Sequence, residues 1–175
     1  KGVIEMIMTI RELIVTGLKG YTGLQAIDTD SNYRRPEYPF YSFKFTTLLQ
    51  DDKGRGNEYH DFPESLDPRW KYDYRETLSK QPYYVISFNA YSDSLIECQE
   101  SIQKAWDWFK YAGYYDFKMK NMVVADVGNI ADRSIFKDVA FEYRYGFDVR
   151  IRYLHEIDRR VETIETYKIN RGKDF

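Results

Sequence analysis

From Phe141 to Tyr153 the apolar residues Phe141, Tyr143, Tyr145, Phe147, Val149, Ile151 and Tyr153 alternate with Glu142, Arg144, Gly146, Asp148, Arg150 and Arg152. Unbroken period two puts successive side chains on opposite faces, so this segment is a strand with one packed face and one that is wet or contacts a partner. It is longer than the usual five or six residues. A chain built around such a strand must supply further strands beside it and a second layer to cover its apolar side.

That second layer is visible as two helical patterns. From Val3 to Val15 the apolar positions follow spacings of three and four, with Gly17 placed to close the helix. Ser94 with Glu97 forms a capping box, and Leu95, Cys98, Ile102, Ala105 and Phe109, joined by Trp106, draw one stripe that ends near Gly113. Three more strands are expected, over Tyr38 to Leu49, Gln81 to Tyr91 and Asn121 to Ile130. Beyond Leu154 the parity shifts before Ile157 and Val161 resume it, which implies a bulge or bend. Gln50 to Lys80 reads as a long loop or arm, although Trp70, Tyr72 and Tyr74 share one parity and part of it can continue as strand. The expected fold is α+β: one domain over residues 1–175, a mostly antiparallel sheet of about four long strands, two main flanking helices and a polar tail over about 167–175.

The totals narrow the function. With 175 residues the chain can bury a core without disulfides, and its one cysteine, Cys98, lies on a helical stripe as a small core side chain. The charge sum is −2, from 26 basic and 28 acidic residues without a basic block, which disfavours a dedicated nucleic-acid binder. No apolar run is long enough for a membrane span. The 17 tyrosines, 11 phenylalanines and 3 tryptophans are the outlying feature, and tyrosine tolerates half-burial, so many suit interfaces.

Residues for catalysis are sparse. His60 and His155 do not stand in a metal-ligand spacing, no nucleophile elbow occurs, and Gly54-Arg55-Gly56 lacks the third glycine of a dinucleotide fingerprint. Asp51 and Asp52 sit in a turn-like segment with nothing apolar to raise a carboxyl pKa. No catalytic, cofactor or metal residue is assigned. Trp70, Tyr72 and Tyr74 interleave with Arg69, Lys71 and Arg75 either as a single-strand nucleic-acid platform or as an arm anchored on a neighbouring subunit. Arg144, Arg150 and Arg152 share the outer face of the long strand with Glu142 and Asp148, which reads as an ion-pair surface or as a contact face.

Three segments carry a resemblance. Arg35-Pro-Glu-Tyr-Pro-Phe-Tyr-Ser42, Gln81-Pro-Tyr-Tyr-Val-Ile-Ser-Phe-Asn-Ala-Tyr-Ser92, and Val127-Gly-Asn-Ile-Ala-Asp-Arg133 leading to Tyr143-Arg-Tyr-Gly-Phe-Asp-Val149 together resemble the phage neck terminator family. Its members are also met as tail terminator or tail completion proteins of long-tailed bacteriophages. The resemblance implies a virion protein, assembled in the host cytoplasm, that forms a homo-hexameric ring. Such a ring ends the tail tube, docks the head connector or neck protein, and lets genomic DNA pass its lumen without specific binding. It implies no catalysis and no cofactor. Arg34, Arg35, Trp70, Tyr72, Tyr74, Arg144, Arg150 and Arg152 are then the candidate subunit or partner interface. The competing readings are a non-catalytic, aromatic-rich module that binds peptide or glycan, another head-tail connector or tail component, and an enzyme whose polar residues converge only in the fold.

Overall fold

The computed structural model describes residues 3–32, 34–51, 54–137 and 140–162. Along the chain the elements are α1 (Val3–Thr22), β1 (Ala26–Asp28), β2 (Phe40–Gln50), β3 (Asn57–Asp61), β4 (Asp73–Lys80), β5 (Tyr83–Ser92), α2 (Leu95–Asp107), a π-helical turn (Trp108–Ala112), α3 (Tyr114–Lys118), β6 (Met122–Val127), β7 (Ala131–Asp132), β8 (Ile135–Lys137), β9 (Ala140–Tyr153) and β10 (His155–Glu162). They fall into two compact units, Lys1–Asp52 with Pro82–Leu154, and Lys53–Gln81 with His155–Phe175. The expected polar tail over 167–175 lies outside the described residues.

The first unit is an α+β layer pair. Its sheet runs β1-β2-β5-β9-β6, with β7 and β8 also on β9, and every pairing is antiparallel except β1 with β2. The long alternating segment is β9, at the centre, and the odd-numbered Phe147, Val149, Ile151 and Tyr153 are buried. They meet Tyr84, Ile86, Phe88 and Ala90 of β5 and Tyr41 and Phe43 of β2 in one core. Ile10, Ile14 and Leu18 of α1, Cys98, Ile102 and Ala105 of α2, then Phe109 and Phe117 cover it. Phe109 sits edge-on to Phe88 at 5.3 Å and to Phe147 at 5.9 Å, which interlocks the two layers beyond simple area burial.

Two expectations are corrected here. α1 does not stop at Gly17; it continues to Thr22, because Leu18 extends the four-residue spacing of Ile10 and Ile14 and is fully buried. Gly17 is small for another reason: a Cβ there would stand 2.5 Å from Cζ2 of Trp108. The left-handed cap is Gly23, at φ 78°, whose N–H donates to the carbonyl of Lys19 at 2.9 Å. The capping box of α2 is present but relayed. Ser94 accepts from the Glu97 N–H, whereas the Glu97 carboxylate accepts from Ser92 Oγ at 2.5 Å, and Ser92 in turn accepts from the Ser94 N–H.

The second correction concerns Gln50 to Lys80, which holds β3 where a loop was expected and β4 over the part that was allowed to continue as strand. With β10 they form a separate antiparallel sheet ordered β10-β4-β3. Charged residues stand on both faces between Tyr74, Leu78 and Ile157, so its apolar alternation is weak. Cross-strand pairs hold it instead: Arg75 with Asp61, Arg159 with Glu76, and the Tyr59 hydroxyl on Glu156 at 2.8 Å. The parity shift at Leu154 is the point where the chain leaves one sheet and enters the other. The four long strands expected are β2, β5, β6 and β9; the additional strands are short or belong to this second sheet.

Candidate interface on the second face of the sheet

With the helices on one face, the even-numbered residues of β9 and the odd-numbered residues of β5 point to the other. In register, Tyr91 stands opposite Arg144, Asn89 opposite Gly146 and Ser87 opposite Asp148. The segment after β7 returns over this face and delivers Arg133. Its guanidinium donates to Ser87 Oγ at 2.8 Å, to Asn89 Oδ1 at 2.9 Å and to Asp148 Oδ1 at 3.2 Å. Ser134 N–H and Oγ both donate to Asp132 Oδ1, which anchors the segment and holds the Asp132 carboxyl below its ordinary range.

Beside this clamp lies a groove of about 300 Å³, lined by Arg35, Phe40, Ser42, Tyr91, Glu142, Arg144 and the edges of β1 and β8. Phe40 and Tyr91 stack at 5.0 Å with their planes 4° apart. The Arg35 guanidinium carbon is 5.0 Å from the Tyr38 and Phe40 ring centres and 5.3 Å from Tyr91, while that of Arg144 is 5.4 Å from Tyr91. Tyr91 thus carries two cations on its π-system, each a cation–π contact of about 0.5–1 kcal/mol at exposed sites. Glu142 is buried and pairs with Arg35, and it also accepts from the Tyr38 hydroxyl at 2.6 Å. Arg144 has no ion pair among the described residues, and neither its Nε nor Ser42 Oγ finds a hydrogen-bond partner there.

The acids of the ion-pair surface expected on the outer face of β9 are paired with arginines from neighbouring segments: Arg35 takes Glu142 and Arg133 takes Asp148. Arg150 is exposed and Arg152 half-buried, neither with an ion pair among the described residues, and Arg34 is exposed outside the groove. The structure brings Arg35 and Arg144 together. With Glu142, read from the sequence as an outer-face acid, it adds Tyr38, Tyr91 and Arg133, which were not singled out; the signal available for them was a glycine, Gly146, in mid-strand, which marks a close approach.

Trp70, Tyr72 and Tyr74 belong to the second unit. Only Tyr74 lies on β4, its ring 5.5 Å from His60 at a tilt of 32° and 5.6 Å from Phe62. Tyr72 bridges to Glu64, with Lys71 Nζ 5.1 Å from its ring centre. Asp67 receives the Arg69 side chain and backbone N–H, and the bound guanidinium brings its carboxyl down to about 2.

Asp126 and Asp132 lie in the first unit and His60 and His155 in the second, where His60 shares a groove of about 410 Å³ with Arg55, Glu58, Glu76, Asp158 and Arg159. Within the first unit Asp126 pairs in register with Arg150 and Asp132 with Tyr145; within the second, His60 pairs with Glu76 and His155 with Lys80. Among the described residues no His, Cys, Asp or Glu cluster could hold a metal ion, and no helix is long and apolar enough to cross a membrane. Burial raises the Cys98 thiol above its ordinary pKa.

The face just described is assembled from the three segments that carried the resemblance: the first supplies Arg35 and Tyr38, the second Ser87, Asn89 and Tyr91, the third Arg133, Arg144, Gly146 and Asp148. The model of the family described as phage neck terminator protein matches residues 8–174. The chain belongs to the phage neck terminator family. No curated protein matches it. As a neck terminator it is a structural component of the virion, at the phage neck and tail, and a partner of other tail or head-connector components.

Proposed function

We propose that this neck terminator forms a homo-hexameric ring that ends the tail tube and joins it to the head connector, without catalysis. The family match over nearly the whole chain carries the reading. Its convergent polar face supports it, since arginine and tyrosine are the side chains that interfaces favour, and a closed ring needs two different complementary faces per subunit. The Arg35 and Arg144 groove is one contact face; Arg34, Arg150 and Arg152 extend it, and Trp70, Tyr72 and Tyr74 reach the tube or connector. A net charge of −2 suits a lumen through which DNA slides, because each phosphate neutralised would add affinity and slow transit.

The test is electron microscopy of lysates from the encoding phage with an early stop codon in this gene. Full heads lying apart from tubes of irregular or excessive length are expected. Normal virions overturn the reading.

A further inference from the structure

We propose that the first unit's sheet is continued by a second copy of this chain, β6 of one copy adding antiparallel to the outer half of β2 of the next. The sheet has two different open edges. β1 covers only Tyr41, Ser42 and Phe43 of β2, so Lys44 to Gln50 have no strand on that side among the described residues. At the other end β6 closes the sheet order with no strand beyond it among the described residues. Unpaired N–H and C=O groups along such edges template strand addition, and proteins normally blunt them with proline, inward lysine or a covering element. Neither edge contains proline, and the one lysine, Lys44, is held by Asp30 at 2.9 Å.

Sense and charge both fit. β2, β5, β9 and β6 alternate in direction, so β6 runs opposite to β2 and a continued sheet is antiparallel, the more stable pairing. Antiparallel docking sets exposed Asp126, at the end of β6, towards Lys44 at the start of the open run. It sets exposed Lys120, just before β6, towards Asp51 at the other end. Along the β2 edge Leu48 lines a groove of about 310 Å³ with Ile4 and Met8, all exposed, on the face that the helices cover, while exposed Val123 of β6, in register with Arg152, shares the opposite face with Thr47 of β2, in register with Val85. Register shifts bend β2 after Phe45 and β6 after Val124, so the strands meet over short runs. Because the edges differ, the contact is heterologous and repeats head to tail; it rests on the ring reading only for closure.

Cys98 is fully buried and is the only cysteine, so introduced thiols report cleanly. Phage carrying Thr47→Cys and Val123→Cys, which share the face away from the helices, in the same chain, or either alone, are assembled and treated with a short bismaleimide. A ladder of multiples of this chain in the double variant, and single chains only in each single variant, is expected. A Thr46→Cys, Ala125→Cys pair repeats the test at neighbouring positions, so one variant that blocks assembly does not decide it. Assembled particles giving no ladder with either pair overturn the proposal. So do dimers in a single variant, which mean like edges pair, and a product of another mass, which means a different protein occupies the edge. Micrographs of the same particles separate the two readings: a collar without a ladder removes only the edge contact, whereas particles without a collar remove the ring as well.

Discussion

Gly146 lies directly opposite Asn89, and a side chain at 146 would overlap the Asn89 amide oxygen that receives Arg133. The same added carbon would stand 2.6 Å from the carbonyl of Phe88, which is backbone and cannot swing aside. Gly146→Ala is therefore expected to cost about 1–3 kcal/mol, the usual range for overpacking a tight site. Urea denaturation measures it; an unchanged midpoint and slope would mean that the strand pair has room to spare.

Arg133 and Asp148 predict an asymmetry. The guanidinium reaches three acceptors and is mostly sheltered, whereas the Asp148 side chain is 58% exposed. Removing Arg133 strips partners from Asn89, which is buried, so Arg133→Ala is expected to cost about 1–3 kcal/mol. Asp148→Ala removes an exposed pair worth about 1 kcal/mol or less. Equal losses in chemical denaturation would contradict the clamp.

These sites show where the sequence was readable. β9, β5 and the α2 stripe were legible because a half-buried element writes its period into the chain, and every alternate residue of β5 from Tyr84 to Ala90 is indeed fully buried. The second sheet was legible only in part, through the shared parity of Trp70, Tyr72 and Tyr74 and the renewed parity at Ile157 and Val161, since its strands are charged on both faces and their stability comes from partners elsewhere in the chain. Gly17 was misread because a glycine that ends a helix and one that admits a tryptophan look the same in one dimension. Arg144 was legible as an outer-face arginine and Arg35 came in only with the resemblance; their setting was not legible, because Tyr38 meets Glu142 across 104 positions of sequence.

Tyr41 ties stability to alkaline pH. Its hydroxyl donates to the carbonyl of Ser101 at 2.8 Å, and burial pushes its pKa from 10.0 up to about 12. The unfolded chain loses this proton near pH 10 while the folded chain keeps it, so the unfolded state binds fewer protons in between and stability falls as pH rises. The contribution is complete below pH 10 and lost by about pH 12, up to about 3 kcal/mol. Burial also raises Tyr84 and Tyr153, which add in the same direction. Tyr41→Phe is expected to flatten the profile of unfolding free energy between pH 9 and 12; an identical slope in both proteins refutes the assignment.

Trp108 is enclosed by two glycines. A Cβ at Gly113 would come within 2.7 Å of its Cε2, much as one at Gly17 meets its Cζ2. Gly17→Ala should favour the helix by about 1 kcal/mol on propensity alone, yet the indole is buried and has nowhere to move. The overlap is expected to win, lowering the thermal midpoint, and Gly17→Ala with Trp108→Phe is expected to recover part of the loss. Calorimetry of the two variants decides it: a raised midpoint for Gly17→Ala alone shows that the indole yields.

Arg35 and Glu142 form the most one-sided pair on the candidate interface, with the Glu142 side chain 5% exposed and the Arg35 side chain 43% exposed. Losing the arginine leaves a buried carboxylate without its guanidinium, whereas losing the glutamate leaves a guanidinium that water can reach. Breaking a fully buried pair costs about 3–5 kcal/mol; the exposed side of Arg35 lets water approach the vacated site, so Arg35→Ala is expected to cost about 1–3 kcal/mol and Glu142→Gln less. In a double-mutant cycle the combined variant should be more stable than the sum of the single losses, by about 1 kcal/mol or more. Strict additivity would place the two charges outside each other's influence and remove the argument that the first of the three family segments is held to β9 by this contact.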